Sequence, residues 1–389
     1  MDRIALVLAD GTTYQGINFG APAPLIEEVT GDRDRSRLND VGEVVFNTAM
    51  SGYGEVLTDP SYTGQIVVMT YPHVGNYGID EAWSETGTEA NVPRAIQLAA
   101  LVVRSLYTGP VPQGRLKLDD YLRISGIPGA TGIDTRALTL DLRDRGSRNG
   151  LLCRPADGME LSRTETNRAI EFLREFPSME GRGLIEAVGT KVPVQLPGSG
   201  GPHLALYDCG AKTNIIRELQ ALGCSISIMP STATAAEIRS TGAQALMLSN
   251  GPGDPAVLKH QVAQTRLLLG TLPVLGICLG HQIIAEAAGA RTSKMKFGHH
   301  GVNHPVREEI PPPQRERGRV FVTSQNHGFT VDEDTLPEGL QVWFRNANDG
   351  TVEGLRDDAR RIRTTQFHPE SAPGPTDGRW IFSAFLEAI

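Results

Sequence analysis

Along the carboxyl-terminal half of the chain, short apolar runs alternate with stretches that carry apolar residues at helical spacing. Residues 204–207, 225–229 and 245–248 are runs of strand length, and between them 212–222 and 233–239 show the period of an amphipathic helix. Another helix is expected after the loop Ser249-Asn250-Gly251-Pro252-Gly253-Asp254-Pro255, and then a strand beginning at Val274. Such alternation predicts a doubly wound α/β domain, a parallel sheet with helices on both faces and ligands at the carboxyl ends of its strands. The amino-terminal half reads as strand-rich. Residues 4–8 and 12–14 flank Asp10-Gly11, a hairpin signal, and further strands are expected at 43–47, 65–70 and within the apolar run 96–103. Asp134-Thr135 reads as a helix start with Gly146 as its stop, and a second helix at 165–176 ends before Pro177. The Pro- and Gly-rich stretch 192–203 reads as a linker, which divides the chain into 1–191, the linker and 204–389. Residues 31–40, of mixed charge and with almost nothing to bury, read as a solvated loop.

Composition narrows the picture. At 389 residues the chain suits about two domains, and 40% hydrophobic with 21% charged residues is a globular balance. A net charge of -8 argues against nucleic acid as the main partner, and no stretch approaches the roughly 18–20 apolar residues of a membrane span. The four cysteines, Cys153, Cys209, Cys224 and Cys278, form no CxxC pair and fit a reducing, cytoplasmic setting better than a disulfide framework.

The densest chemistry lies at Gly276-Ile277-Cys278-Leu279-Gly280-His281-Gln282, where an apolar run meets a cysteine between two glycines and good helix formers follow. Strand, sharp turn and helix in that order describe a nucleophile elbow, with the thiol at the sheet edge over a helix N-terminus. There the N–H of Leu279 can receive an oxyanion, and backbone N–H groups at Gly251 can serve the same atom. A buried core cysteine at a tight turn fits the same residues. Among nine histidines, His281 sits on the elbow's own helix and points elsewhere. His299, His300 and His304 raise the question of a metal, but Gly298, Gly301 and Pro305 prevent a helix presenting them together, and no metal is expected. Residues 361–367 alternate like a strand and deliver His368-Pro369-Glu370 at its end. Proline keeps His368 extended, so Glu370 can face the same way as the imidazole and hold its tautomer. A salt-bridge pair at a strand end is the alternative.

The elbow together with His368-Pro369-Glu370 resembles the triad-type glutamine amidotransferases. More narrowly, the chain resembles the small-subunit family of carbamoyl-phosphate synthetase nearly end to end. The likeness runs through Gly42-Glu43-Val44-Val45-Phe46-Asn47-Thr48, Leu57-Thr58-Asp59-Pro60-Ser61-Tyr62, Ile133-Asp134-Thr135-Arg136, the Ser249 to Pro255 loop, Lys296-Phe297-Gly298-His299-His300-Gly301 and Gln325-Asn326-His327-Gly328-Phe329. The 31–40 loop is longer than that family leads one to expect, and Cys209 stands where an aromatic residue is expected. The resemblance implies a β/β/α swivelling-type amino-terminal domain and a flavodoxin-like amidotransferase domain. It makes Cys278 the nucleophile, His368 the base and acid, and Glu370 the orienting carboxylate. Ser61, Gly251, Gly253, Leu279, Gln282, Asn326, Gly328 and Phe329 become the glutamine contacts. It further implies a large synthetase subunit as partner in a heterodimer, with ATP, magnesium and bicarbonate bound there and no cofactor in this chain, and a place in arginine and pyrimidine biosynthesis.

Overall fold

A computed structural model describes residues 2–31, 40–86, 96–313 and 315–389. Most of the charged 31–40 segment therefore lies outside the described residues. The described residues of 1–84 and 94–180 form one compact unit, and those of 85–93 and 181–389 form another.

In the first unit, seven strands close into a barrel in the order Arg3–Leu8, Thr13–Gly20, Pro128–Thr131, Ala100–Val102, Gln65–Met69, Val41–Asn47 and Arg148–Cys153, which returns to the first. The hairpin at Asp10-Gly11 opens it. Gly11 takes φ +92, a left-handed value that suits glycine, and its N–H donates to Leu8 O at 2.8 Å. Closure leaves no exposed strand edge, and a helix covers one flank: Ala169, Phe172 and Leu173 of Arg163–Glu175 pack on Val7, Val41 and Leu151. The Asp134-Thr135 signal becomes the helix Thr135–Arg145, whose Ala137 N–H donates to Asp134 Oδ1 at 3.1 Å and which ends at Gly146.

The second unit is built on a ten-stranded sheet. Its middle is parallel, in the order Ser225–Pro230, His203–Asp208, Ala245–Leu248, Val274–Ile277, Ile362–Thr365. Numbered along the chain this is 2-1-3-4-5, the flavodoxin-like winding. Alternation explains how both faces are covered. Ala205, Tyr207, Leu246 and Leu248 belong to one core with Ile283 and Ala287 of the helix Leu279–Ala288. Leu204, Leu206, Ala245 and Met247 belong to the other, with Ile215 and Leu219 of Thr213–Ala221 and Phe382 and Phe385 of Trp380–Leu386. Beyond Ile362–Thr365 the sheet continues antiparallel through Val352–Asp357, Gln341–Asn346, Thr292–Glu308 and Val320–Val331. At the opposite edge Val194–Leu196, inside the Pro- and Gly-rich stretch, pairs antiparallel with Ser225–Pro230. No helix among the described residues is long and apolar enough to cross a membrane.

Close backbone approach fixes where the elbow sits. A Cβ on Gly280 would lie 2.2 Å from Leu248 O, and one on Gly276 2.5 Å from Ile284 Cδ1 and 2.8 Å from Gly280 C. At Gly270, in a left-handed turn at φ +76, an added Cβ meets nothing within 4 Å. Gly280→Ala is therefore expected to cost about 3 kcal/mol or more through overpacking against backbone, and Gly270→Ala about 1 kcal/mol of local strain. Denaturant unfolding of the two variants checks this, and equal losses would show that contact with Leu248 is not why position 280 is glycine.

Candidate active site

Four adjacent parallel strands deliver the chemistry to one edge. Lys212 follows His203–Asp208, Asn250 and Gly251 follow Ala245–Leu248, Cys278 follows Val274–Ile277, and His368 follows Ile362–Thr365. Cys278 caps the helix Leu279–Ala288 with φ 54 and ψ -107, a backbone conformation that costs a non-glycine residue about 1–3 kcal/mol. Two hydrogen bonds hold it there: its N–H donates to Thr365 O at 2.8 Å, and its carbonyl accepts from Gln282 N–H at 3.2 Å. The thiol is buried and donates to Asn326 O at 3.5 Å. Burial raises the pKa of the other three thiols, Cys153, Cys209 and Cys224, which favours their inert protonated form.

His368 is fixed at both ends. Its N–H donates to Ser324 O at 2.9 Å, and its Nδ1 lies 2.6 Å from Glu370 Oε1. Nε2 is buried without a hydrogen bond to another described group. Burial pulls the imidazole towards neutrality, but the charges of Glu370 and then of Cys278 outweigh it, and its pKa is raised. That Cys278 acts on the ring in this way brings Cys278, His368 and Glu370 into one site.

Beyond Glu370 lies a cation that the sequence reading did not single out. Lys212 Nζ is 3.0 Å from Glu370 Oε1 and also donates to Ser371 O, with 2% of its side chain exposed. Burial pushes the Glu370 carboxyl up; the Lys212 charge, followed by His368, more than offsets this and lowers it to about 2. Lys212 is itself placed by its N–H, which donates to Asn250 Oδ1 at 3.0 Å. A lysine at the start of a helix carries no sequence motif, so only the fold reveals it.

The remaining expected residues divide. Gly251 and Leu279 come together: a Cβ on Gly251 would lie 2.2 Å from Cys209 O and 2.9 Å from Leu279 Cδ2. Gln282 Nε2 donates to Phe329 O and to Gln366 Oε1, both at 2.9 Å, tying the elbow helix to the strand that bears Asn326, Gly328 and Phe329. Lys294 Nζ stands 5.0 Å from the centre of the Phe329 ring, and a Cβ on Gly328 would come within 2.9 Å of the same atom. Gly253, at φ +98, bridges to Gly183. Ser61 belongs to the first unit, in the turn Pro60–Tyr62, where its N–H donates to Asp59 Oδ1 at 2.9 Å. His281 is buried with Nδ1 2.8 Å from Thr364 Oγ1, and burial drives its pKa down to about 3, so it is a neutral packing group rather than the base.

A doubly wound sheet with a cysteine elbow and a histidine–carboxylate pair at its edge defines the class. Residues 205–388 match the family model for class-I glutamine amidotransferases, and 6–152 match that for the carbamoyl-phosphate synthase small chain, CPSase domain. Carbamoyl phosphate synthase small chains resemble the whole length. The protein from Symbiobacterium thermophilum is 42% identical over 98% of this chain and 97% of its own. Those from Nitratidesulfovibrio vulgaris and Methanopyrus kandleri are each 40% identical, covering 100% and 99% of this chain and 98% of their own. The chain belongs to the carbamoyl-phosphate synthase small-chain family, and its amidotransferase domain is the glutaminase component.

Removing the buried cation tests the charge chain. Lys212→Met is expected to cost about 3 kcal/mol at pH 7, because it strips a partner from a buried carboxylate. The sign of the pH dependence follows. Without Lys212 the folded-state pKa of Glu370 rises, so the variant's deficit should shrink as pH is lowered towards the ordinary carboxyl value of 4.5 and Glu370 takes up a proton. Unfolding measured at pH 7 and near that value checks this; a deficit independent of pH would mean that Lys212 does not neutralise Glu370.

Proposed function

We propose that this chain hydrolyses L-glutamine through a Cys278–His368–Glu370 triad and hands the ammonia to a large synthetase subunit. The observation that carries the reading is the convergence of Cys278, the His368–Glu370 pair and Lys212 on one buried sheet edge in a member of this family. The Cys278 thiolate attacks the side-chain amide carbonyl, and the N–H groups of Leu279 and Gly251 take the oxyanion. Protonated His368 gives its proton to the departing ammonia, and then activates the water that cleaves the glutamyl thioester. Glu370 stabilises the imidazolium, and Lys212 keeps Glu370 ionised at neutral pH. Gly253, Gln282, Asn326, Gly328 and Phe329 are the further glutamine contacts in this reading.

The partner binds ATP with magnesium and bicarbonate and makes carbamoyl phosphate in the cytoplasm, for arginine and pyrimidine synthesis. Ammonia released into water at neutral pH is mostly protonated and no longer nucleophilic, so an enclosed transfer to the partner avoids that loss.

Cys278→Ser is expected to reduce glutamine hydrolysis by on the order of a thousandfold or more, since members of a triad act as a unit. Glutaminase assays of folded protein test it, and a variant near wild-type activity overturns the mechanism. Glu370→Gln should lose less than His368→Asn, because one removes orientation and the other proton transfer. The division of labour is tested in the complex with the large subunit. With Cys278→Ala, synthesis from glutamine should vanish while synthesis from ammonium salts survives. Loss of both by a variant that still binds its partner would refute it.

A further inference from the structure

The strand beside the nucleophile is held from two sides. Through its backbone, 324–329 ties the site together: Ser324 O accepts from His368 N–H, Asn326 O from the Cys278 thiol, and Phe329 O from Gln282 Nε2. Its pairing with Thr292–Glu308 is broken by register shifts between Lys294 and His299 and again between Gly301 and His304. Between the two shifts His299, His300 and Gly301 face His327, Asn326 and Gln325, and before the first Lys294 faces Phe329.

Side chains make up for the interrupted ladder. Gln325 Nε2 donates to Glu353 Oε2 at 2.8 Å, and Gln325 Oε1 lies 3.0 Å from His327 Nε2, whose ring partner Nδ1 is 2.8 Å from Phe329 O. Glu353 Oε1 accepts from Asn346 Nδ2 at 2.8 Å and lies 3.4 Å from His299 Nδ1. The other nitrogen of His299, Nε2, is 2.7 Å from Asp349 Oδ2. Each nitrogen of His299 thus has a carboxylate within reach, with Asn346 Nδ2 also 3.5 Å from Nδ1, and the ring can donate to both carboxylates only as an imidazolium. Burial opposes that charge, but Asp349 and Glu353 outweigh it and raise the pKa to about 9. Burial, with the charge of His299 contributing, drives His300, His304 and His327 the other way. His299, His327 and Glu353 do place ligand atoms within 4.8 Å of one another. Each of them is already committed to protein partners, and a cation is already supplied by His299 itself.

We propose that His299 is a positioning residue: as a buried cation between Asp349 and Glu353, it anchors the 324–329 strand through Gln325 and His327 and so sets the affinity for glutamine. The last step rests on the glutaminase reading; the anchoring does not. Cys278 keeps a hold outside this strand through Thr365 O, and His368 keeps one through Glu370, so chemistry should suffer less than binding.

The experiment compares wild type with His299→Gln, which keeps a polar side chain but not the charge. Amide hydrogen exchange in 324–329 is expected to quicken about tenfold or more with that in 274–277 unchanged, and KM for glutamine to rise about tenfold with kcat within about threefold. Asp349→Asn, at a side chain 42% exposed, should shift both quantities in the same direction by less, and it decides the matter if His299→Gln does not fold. Unchanged exchange in 324–329 overturns the anchor whatever the activity. Faster exchange with an unchanged KM overturns the link to glutamine. A wild-type chain that hydrolyses no glutamine would sink the functional reading while the exchange measurement still judged the anchor.

Discussion

The site depends on one cramped turn. Cys278 is held at a positive φ because its N–H reaches Thr365 O on the neighbouring strand, while the helix that starts after it lies against the strand Ala245–Leu248. Gly276 and Gly280 make this possible by omission, since a methyl group at either would strike neighbouring atoms. Strain at a non-glycine residue persists only where its surroundings over-determine it. The strand Ile362–Thr365, which holds the turn through Thr365 O, also leads into His368, so Cys278 and His368 are referred to one frame.

Charge is managed over that frame in a relay of alternating sign. Lys212 favours the ionised form of Glu370 where burial works against it, and Glu370 in turn favours the protonated form of His368. Each member would be costly to bury alone, and each makes its neighbour tolerable. The His299 cluster sets another histidine between two carboxylates, Asp349 and Glu353, beside the 324–329 strand.

Two family models match different parts of the chain. One family model covers most of the barrel unit and another covers the doubly wound sheet, and whole-length relatives carry both. A barrel leaves no free edge, whereas the second unit's parallel strands end in an open row of loops. Sites are readily built on the second kind of edge.

Much of this was legible in the chain itself, for local reasons. Apolar period and length gave the strands at 204–207, 225–229 and 245–248 to within a residue or so, because a parallel strand buried on both faces must be continuously apolar. The elbow and His368-Pro369-Glu370 could be read because backbone geometry at a sharp turn and before a proline is dictated by neighbours in sequence. The strands Thr292–Glu308 and Val320–Val331 could not, since histidines, glycines and a proline there hide any period of two; many of their polar side chains are satisfied by one another, and only a few residues, Val306, Phe321 and Val331 among them, join the apolar cores. Barrel closure likewise rests on pairings such as Ile17 with Thr131, more than a hundred residues apart. Lys212 is the plainest case: its type and position are ordinary, and only the folding of four strands to one edge sets it against a carboxylate some 160 residues away, where burial makes a surface-type residue part of a charge chain.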